Sequence, residues 1–320
     1  MASVCSLCFG FISAPVMFAL SSPALENVET TIYRGADPQR AHSARRVATR
    51  RFYNVESLTE FIDFARHEAD LGLCVDEVTI SLPPHSIYPG QLIQQCLSLT
   101  PNVEVLAIHL PRPTPPTILS GILLPKLAVF TTSLPHRCIA SFLLSNLSIT
   151  ALSIQACGPS LNCPLRRLDL RHITDLQGPA RCVTRVANGQ VRRATVNLTR
   201  LASSVSLAVQ ALATSPLHCL IIDFFSHDYN ILTKVATSLP NVKALRLIEK
   251  PCAQGRDHIG PWHHPSEWHQ ALLRLSSLEE IELQTTDDIK LPSNYSLAKL
   301  VTGKQTHWFK RGNGEWENLS

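Results

Sequence analysis

One short pattern, apolar-x-x-apolar-x-apolar, recurs along this chain and restricts its fold more than any other feature. It stands at Val75/Val78/Ile80, Val103/Leu106/Ile108, Leu124/Leu127/Val129, Ile149/Leu152/Ile154, Leu165/Leu168/Leu170, Val191/Ala194/Val196, Leu217/Leu220/Ile222, Val242/Leu245/Leu247 and Leu278/Ile281/Leu283. Between middle residues the average spacing is about 25 residues. The last three positions alternate as a half-buried strand does. Between the strands lie amphipathic stretches of helical period: Glu56 to Ala69, Gln91 to Leu99, His136 to Leu144, Ala202 to Ala213, Tyr229 to Leu239 and Ser266 to Leu275. Leu99-Thr-Pro-Asn-Val103, Leu239-Pro-Asn-Val242 and Leu275-Ser-Ser-Leu278 are variants of one helix-to-strand turn. In it Pro stops the helix and Asn tolerates the turn conformation.

A strand and a helix in each short unit predict an α/β chain built as an irregular leucine-rich-repeat solenoid. The expected form is a horseshoe of about nine strand-helix units, with a parallel sheet on its concave face. Two intervals depart from the spacing. Leu152 to Leu168 is too short for a helix and is filled by Cys157-Gly-Pro-Ser160, and Leu245 to Ile281 carries an insertion. A doubly wound α/β sheet would also alternate strands and helices, but it normally announces itself by a Gly-rich turn. None of these turns reads GxGxxG or GxxxxGK[ST].

With these templates and the Leu-Pro-Asn-Val turns, and with the segment Ala44-Arg-Arg-Val-Ala-Thr-Arg-Arg-Phe-Tyr-Asn-Val55, the chain resembles leucine-rich-repeat proteins of the F-box type, in particular the divergent sets of mushroom-forming fungi. The resemblance covers roughly residues 44–285. Residues 44–55 look like the stretch where an F-box helix leads into the first repeat helix, Leu58 to Ala69. The resemblance implies a Skp-type adaptor and a cullin as partners, with the repeats selecting a substrate for ubiquitin transfer. Residues 1–43 have no Leu-Pro-x-Glu start and no run of three short amphipathic helices, so the F-box is missing or degenerate. The expected organisation is an N-terminal segment over 1–43, the solenoid over 44–285, and a C-terminal cap or tail over 286–320.

Composition narrows the remaining classes. At 45% apolar and 17% charged the chain carries a core and is not disordered throughout. A net charge of +4 is too mild for a nucleic-acid footprint. Its ten cysteines are mostly scattered singly in apolar segments, which reads as buried thiols in a reducing compartment, cytoplasmic or nuclear. The Cys5/Cys8 pair is a lone CxxC and reads as incidental. The apolar start, Met1 to Leu20, lacks the basic flank of a signal peptide, and no stretch is expected to span a membrane. The Asn146 and Asn197 sequons would matter only in a secreted chain.

Function is expected to be protein binding by a monomer, without catalysis or cofactor. GxSxG, HExxH and phosphate-loop patterns are absent, and Asp63 and His67, one helical turn apart, read as an exposed ion pair. The template places Lys126, Ala128 and Phe130 on the concave face, together with Arg167, Asp169 and Arg171, Arg193, Thr195 and Asn197, Arg246, and Glu280 and Glu282. Arg167, Arg171, Arg193 and Arg246 there would suit an acidic or phosphorylated segment, because the guanidinium fork pairs with carboxylate or phosphate. Cross-strand ion pairing on a solvated face is the competing reading. The His- and Trp-rich stretch Asp257 to His269 is expected as a loop leading to a helix that starts at Pro265-Ser-Glu267, with metal or partner contact as the alternative. The basic stretch from Arg34 to Arg51 reads as a solvated linker and helix face, or else as a nuclear address or phosphate-binding arm. Gly312-Asn-Gly314 between Trp308 and Trp316 signals a hairpin.

Overall fold

A computed structural model gives the architecture. The chain divides into two units, Met1–Arg46 and Val47–Ser320. The residues described are 48–155, 163–187, 189–198, 203–225, 228, 230–250, 265–284, 306–310 and 316–318, all in the second unit. The loop 257–264 lies outside them.

In chain order the elements are β1 (Ala48–Phe52), α1 (Val55–His67), α2 (Ala69–Leu73), β2 (Val75–Ser81), α3 (Gly90–Leu99), β3 (Val105–His109), β4 (Val129–Thr132), α4 (His136–Ser145) and β5 (Ala151–Ile154). A 3-10 turn at Pro164–Arg167 follows, then β6 (Asp175–Pro179), α5 (Ala180–Val186), β7 (Arg193–Asn197), α6 (Ser203–Leu212), β8 (Cys219–Phe225), α7 (Ile231–Ser238), β9 (Ala244–Lys250), α8 (Pro265–Arg274) and β10 (Glu280–Gln284). The last elements are β11 (Thr306–Lys310) and β12 (Trp316–Asn318). The six helices expected from periodicity are all present within a few residues of their expected bounds.

Strands β1 to β10 are parallel and stand in the sheet in the order in which they occur in the chain. A doubly wound sheet reverses its order at a switch point; this one does not. β11 adds antiparallel to β10 and β12 antiparallel to β11, the hairpin that the Gly-Asn-Gly signal predicts.

Cross-strand register explains the repeated pattern. Val78, Leu106, Phe130, Leu152, Leu176, Ala194, Leu220, Leu245 and Ile281 form one row across the sheet, all buried. With Leu58, Ile62, Ile93, Leu97, Phe142, Val209 and Val235 from the helices they make one continuous core. One face of the sheet is therefore packed against helices, and burial of these aliphatic rows is the main drive holding neighbouring units together.

Helix ends are set by local chemistry. Asn54 caps α1, its Oδ1 accepting from the Ser57 N–H at 2.7 Å. Pro89, Pro135 and Pro179, all in extended conformations, occupy the cap positions of α3, α4 and α5. The turns leaving the helices are tied to their neighbours: the Asn102 side chain donates to the Leu73 carbonyl at 2.8 Å. Asn146 is buried, accepts from the Leu124 N–H at 2.7 Å and donates to the carbonyls of Ile122 and Phe142 at 3.1 and 2.9 Å. Its amide is committed inside the fold, so this sequon offers no accessible acceptor nitrogen.

Three sequence expectations are corrected. In the third template the register is Leu127/Phe130/Thr132, so Phe130 points into the core and Val129 out. Thr132 can occupy a core position because its hydroxyl accepts from the Leu134 N–H at 3.0 Å. In the fifth, Leu165 and Leu170 are buried, but they belong to the 3-10 turn and the loop after it. The strand is Asp175–Pro179, so a full-length unit runs from Leu152 to Leu176 and the shortened one from Leu176 to Ala194. Finally, residues 48–52 are not a helical lead-in but strand β1, in which Arg50 aligns with Val78 of the core row.

Candidate functional site

The face of the sheet turned away from the helices is lined by the alternate residues of each strand. One row runs Thr49, Glu77, Val105, Val129, Ala151, Asp175, Arg193, Cys219, Ala244, Glu280. The next runs Arg51, Thr79, Ala107, Thr131, Ser153, Gln177, Thr195, Ile221, Arg246, Glu282. Most of these side chains are half-buried by their neighbours along the sheet, and Arg51 and Arg193 are well exposed.

Of the nine residues between Arg167 and Glu282 that the sequence places on this face, six lie on it: Arg193, Thr195 and Asn197 on β7, Arg246 on β9, and Glu280 and Glu282 on β10. Arg167, Asp169 and Arg171 do not. They sit in the 3-10 turn and the loop preceding β6, where Arg171 and Asp169 form an exposed ion pair at 3.2 Å. The cause is the displaced strand: a Leu-x-x-Leu-x-Leu run was available to a turn that buries only Leu165 and Leu170. Phe130 is likewise removed from the face, as described above.

Charges on the face are matched across strands. Arg51 meets Glu77 at 3.7 Å, Arg193 meets Asp175 at 3.7 Å, Arg246 meets Glu282 at 3.2 Å and Lys250 meets Asp223 at 3.3 Å. The Arg246–Glu282 pair is the most shielded, with side chains 25% and 11% exposed. Exposed pairs of this kind contribute about 0–1 kcal/mol each; their effect is on what the face will accept. A carboxylate or phosphate approaching Arg193 or Arg246 would have to compete with an acid already in place. Asp175, Asp223 and Glu77 are the members that the arginine pattern alone does not reveal. Asp175 was hidden because its strand was; Glu77 and Asp223 fall on outward positions of the template, and only their pairing with Arg51 and Lys250 depended on the register.

Burial tunes several groups here. It pushes the Asp223 carboxyl up against the opposing pull of Lys250 and of the Leu198 N–H, and it raises the Cys219 thiol. Between the charged ends, β3, β4 and β5 present Val105, Ala107, Val129, Thr131, Ala151 and Ser153, a stretch with no charged side chain. Beside it, at the end of β3, burial lowers the His109 imidazole below its ordinary range and leaves its Nδ1 without a hydrogen bond. His172, in the loop before β6, is lowered by the same cause, partly offset by Asp169.

These two histidines predict a pH dependence. A folded pKa below the unfolded value of about 6.5 means that the unfolded chain takes up the proton first as pH falls. The stabilising contribution is complete above about pH 6.5 and is lost as pH drops below it toward the folded values. Urea unfolding midpoints measured from pH 7.5 to 5.5 should therefore fall less steeply in His109→Gln than in the unsubstituted protein.

Elsewhere, His67 bonds the Asp63 carbonyl at 2.7 Å, and the Asp63 carboxylate pairs with Arg66 at 3.6 Å, in place of the expected Asp63–His67 ion pair. Among the described residues no helix is long and apolar enough to cross a membrane, and no group of three or more His, Cys, Asp or Glu side chains is arranged to hold a metal ion. No known protein family matches the chain, and no curated protein matches it.

Proposed function

We propose that this chain is a non-catalytic binding scaffold, an irregular leucine-rich-repeat array that holds an extended protein segment on the face of its sheet turned away from the described helices. The observation that carries this reading is the face itself: ten parallel strands in chain order, packed against helices on one side, with partly exposed residues aligned in rows on the other, where none of the described helices lies. Its strands from β2 to β10 are held by pairing on both sides, which limits the ordering entropy spent when a partner lies across it. Within it, the uncharged stretch over β3 to β5 favours contact with a segment of small apolar and hydroxyl side chains. The matched ion pairs on either side of it disfavour the acidic or phosphorylated segment that an unpaired row of arginines would attract.

The test compares proteins retained by the tagged full-length chain from its own cells, by quantitative mass spectrometry. Ala107→Glu with Thr131→Glu should reduce the specifically retained partner by about tenfold or more, as burying an unpaired charge at an interface does. Arg193→Glu should reduce it less than about threefold. A larger loss with Arg193→Glu would restore the acidic-segment reading.

Attachment to a ubiquitin ligase, as its substrate-recognition subunit, is a further proposal resting on the family resemblance. The same purification decides it: a Skp-type adaptor and a cullin among the retained proteins would support it, and their absence beside a retained partner would leave a free-standing scaffold.

A further inference from the structure

At the irregular connection between β5 and β6 three reactive side chains meet out of solvent. His136, the first residue of α4, has Nδ1 at 3.0 Å from the Cys163 sulfur and Nε2 at 3.5 Å from the Cys182 sulfur. His136 and Cys163 are each 7% exposed, and Cys182, on α5, is fully buried. Cys163 precedes the 3-10 turn, so the three groups come from three successive segments of the layer packed against the sheet. A neutral imidazole has one N–H and one lone pair, and a thiol can take either role, so this ring can bond both sulfurs in either tautomer. The shorter contact sets a base within reach of the Cys163 proton.

We propose that Cys163 is a peroxide-reactive thiol, with His136 as its general base, and that its sulfenic acid does not condense with Cys182. When a hydroperoxide reaches the sulfur, Nδ1 takes the thiol proton and the sulfur attacks one peroxide oxygen. The S–O bond forms as the O–O bond breaks, and the departing oxygen collects the proton from the imidazolium. With hydrogen peroxide the products are Cys163 sulfenic acid and water: the sulfur is oxidised by two electrons and the peroxide is reduced by two. Condensation to a disulfide needs a second sulfur at about 2.05 Å. The thiol across the site, Cys182, lies on the opposite nitrogen of the same ring, so the imidazole separates the two sulfurs.

The other described cysteines are less suited. Burial pushes the Cys96 thiol up to about 12 and also raises Cys138 and Cys219, which disfavours the nucleophilic thiolate. Cys74 is exposed and serves as an internal reference. The near-closed surroundings of Cys163 also favour a small oxidant over a bulky alkylating agent.

The experiment is a brief hydrogen peroxide pulse on the reduced full-length protein at pH 7, followed by dimedone and peptide mass spectrometry. The expected result is a dimedone adduct at Cys163 forming at least about tenfold faster than at Cys74, as general-base assistance provides. N-ethylmaleimide should reverse that order. His136→Asn should bring Cys163 to within about twofold of Cys74, while Cys182→Ala, which keeps the Cys163–His136 contact, should retain at least about half the rate. Oxidation of Cys74 as fast as Cys163 in the unsubstituted protein would overturn the proposal, whatever the folding of the variants. A Cys163–Cys182 disulfide in place of the dimedone adduct would overturn its second half.

Discussion

Phe130→Ala is expected to destabilise the fold by about 3–5 kcal/mol, read as a drop in the urea unfolding midpoint at unchanged slope. The ring is fully buried, stands in the core row between Leu106 and Leu152, and meets Phe142 with centroids 5.0 Å apart at a tilt of 58°. Deleting it removes a large apolar surface and a tilted aromatic contact, and leaves a cavity between two strands whose backbones are fixed by pairing on both sides. Val129→Ala, one residue away, should cost less than about 1 kcal/mol because Val129 lies on the other face. The pair of variants measures register directly. A one-residue slip exchanges the two faces of a strand, so equal effects, or a larger effect at Val129, would refute the register of β4.

Asn146→Ala is expected to cost about 2–4 kcal/mol, because it strands partners rather than merely losing bonds. Leu124 N–H and the Ile122 carbonyl are both in or near the core and are both satisfied by this side chain. An unsatisfied buried backbone group costs about 1–3 kcal/mol. The same amide also bonds the last turn of α4 through the Phe142 carbonyl, so its loss should loosen the helix end together with the preceding turn. The check is urea unfolding, with Asn146→Asp beside it: the aspartate keeps the acceptor for Leu124 but loses the donor to Ile122, and it should not recover the full stability. A loss below about 0.5 kcal/mol in Asn146→Ala would mean that water replaces the amide and that the turn is not tied as described.

These two residues also mark where sequence reading succeeded and where it stopped. Strands whose inward positions are all aliphatic, such as Leu220 with Ile222 or Leu245 with Leu247, were legible because burial and alternation agree. β4 was shifted because a polar Thr132 occupies an inward position, its hydroxyl satisfied by a neighbour that only the fold reveals. β6 was missed because its second inward residue is Gly178, where a side chain would meet the Ile154 carbonyl oxygen at 3.1 Å; close backbone approach leaves no apolar signal. β1 carries Arg50 in the core row and so looked like a solvated segment. On the candidate face, Arg193, Thr195, Asn197, Arg246, Glu280 and Glu282 were legible wherever the strand was. Their pairing was not, because it depends on which strand lies beside which. The His136, Cys163 and Cys182 group has no sequence signal at all: 27 residues separate the first two and 46 separate His136 from Cys182.

Because the ten parallel strands follow one another across the sheet as they follow one another in the chain, each of these strands pairs with its neighbours in sequence. Each new strand joins its predecessor by closing a loop of modest length, and the entropy of that closure grows only slowly with length. Assembly can therefore begin at any adjacent pair and grow outward in both directions, with every step resembling the last. The molecule has no keystone: injury at one junction is felt most by the two units that share it and fades beyond them, and forced opening by pulling on the two ends should begin at an end and move inward.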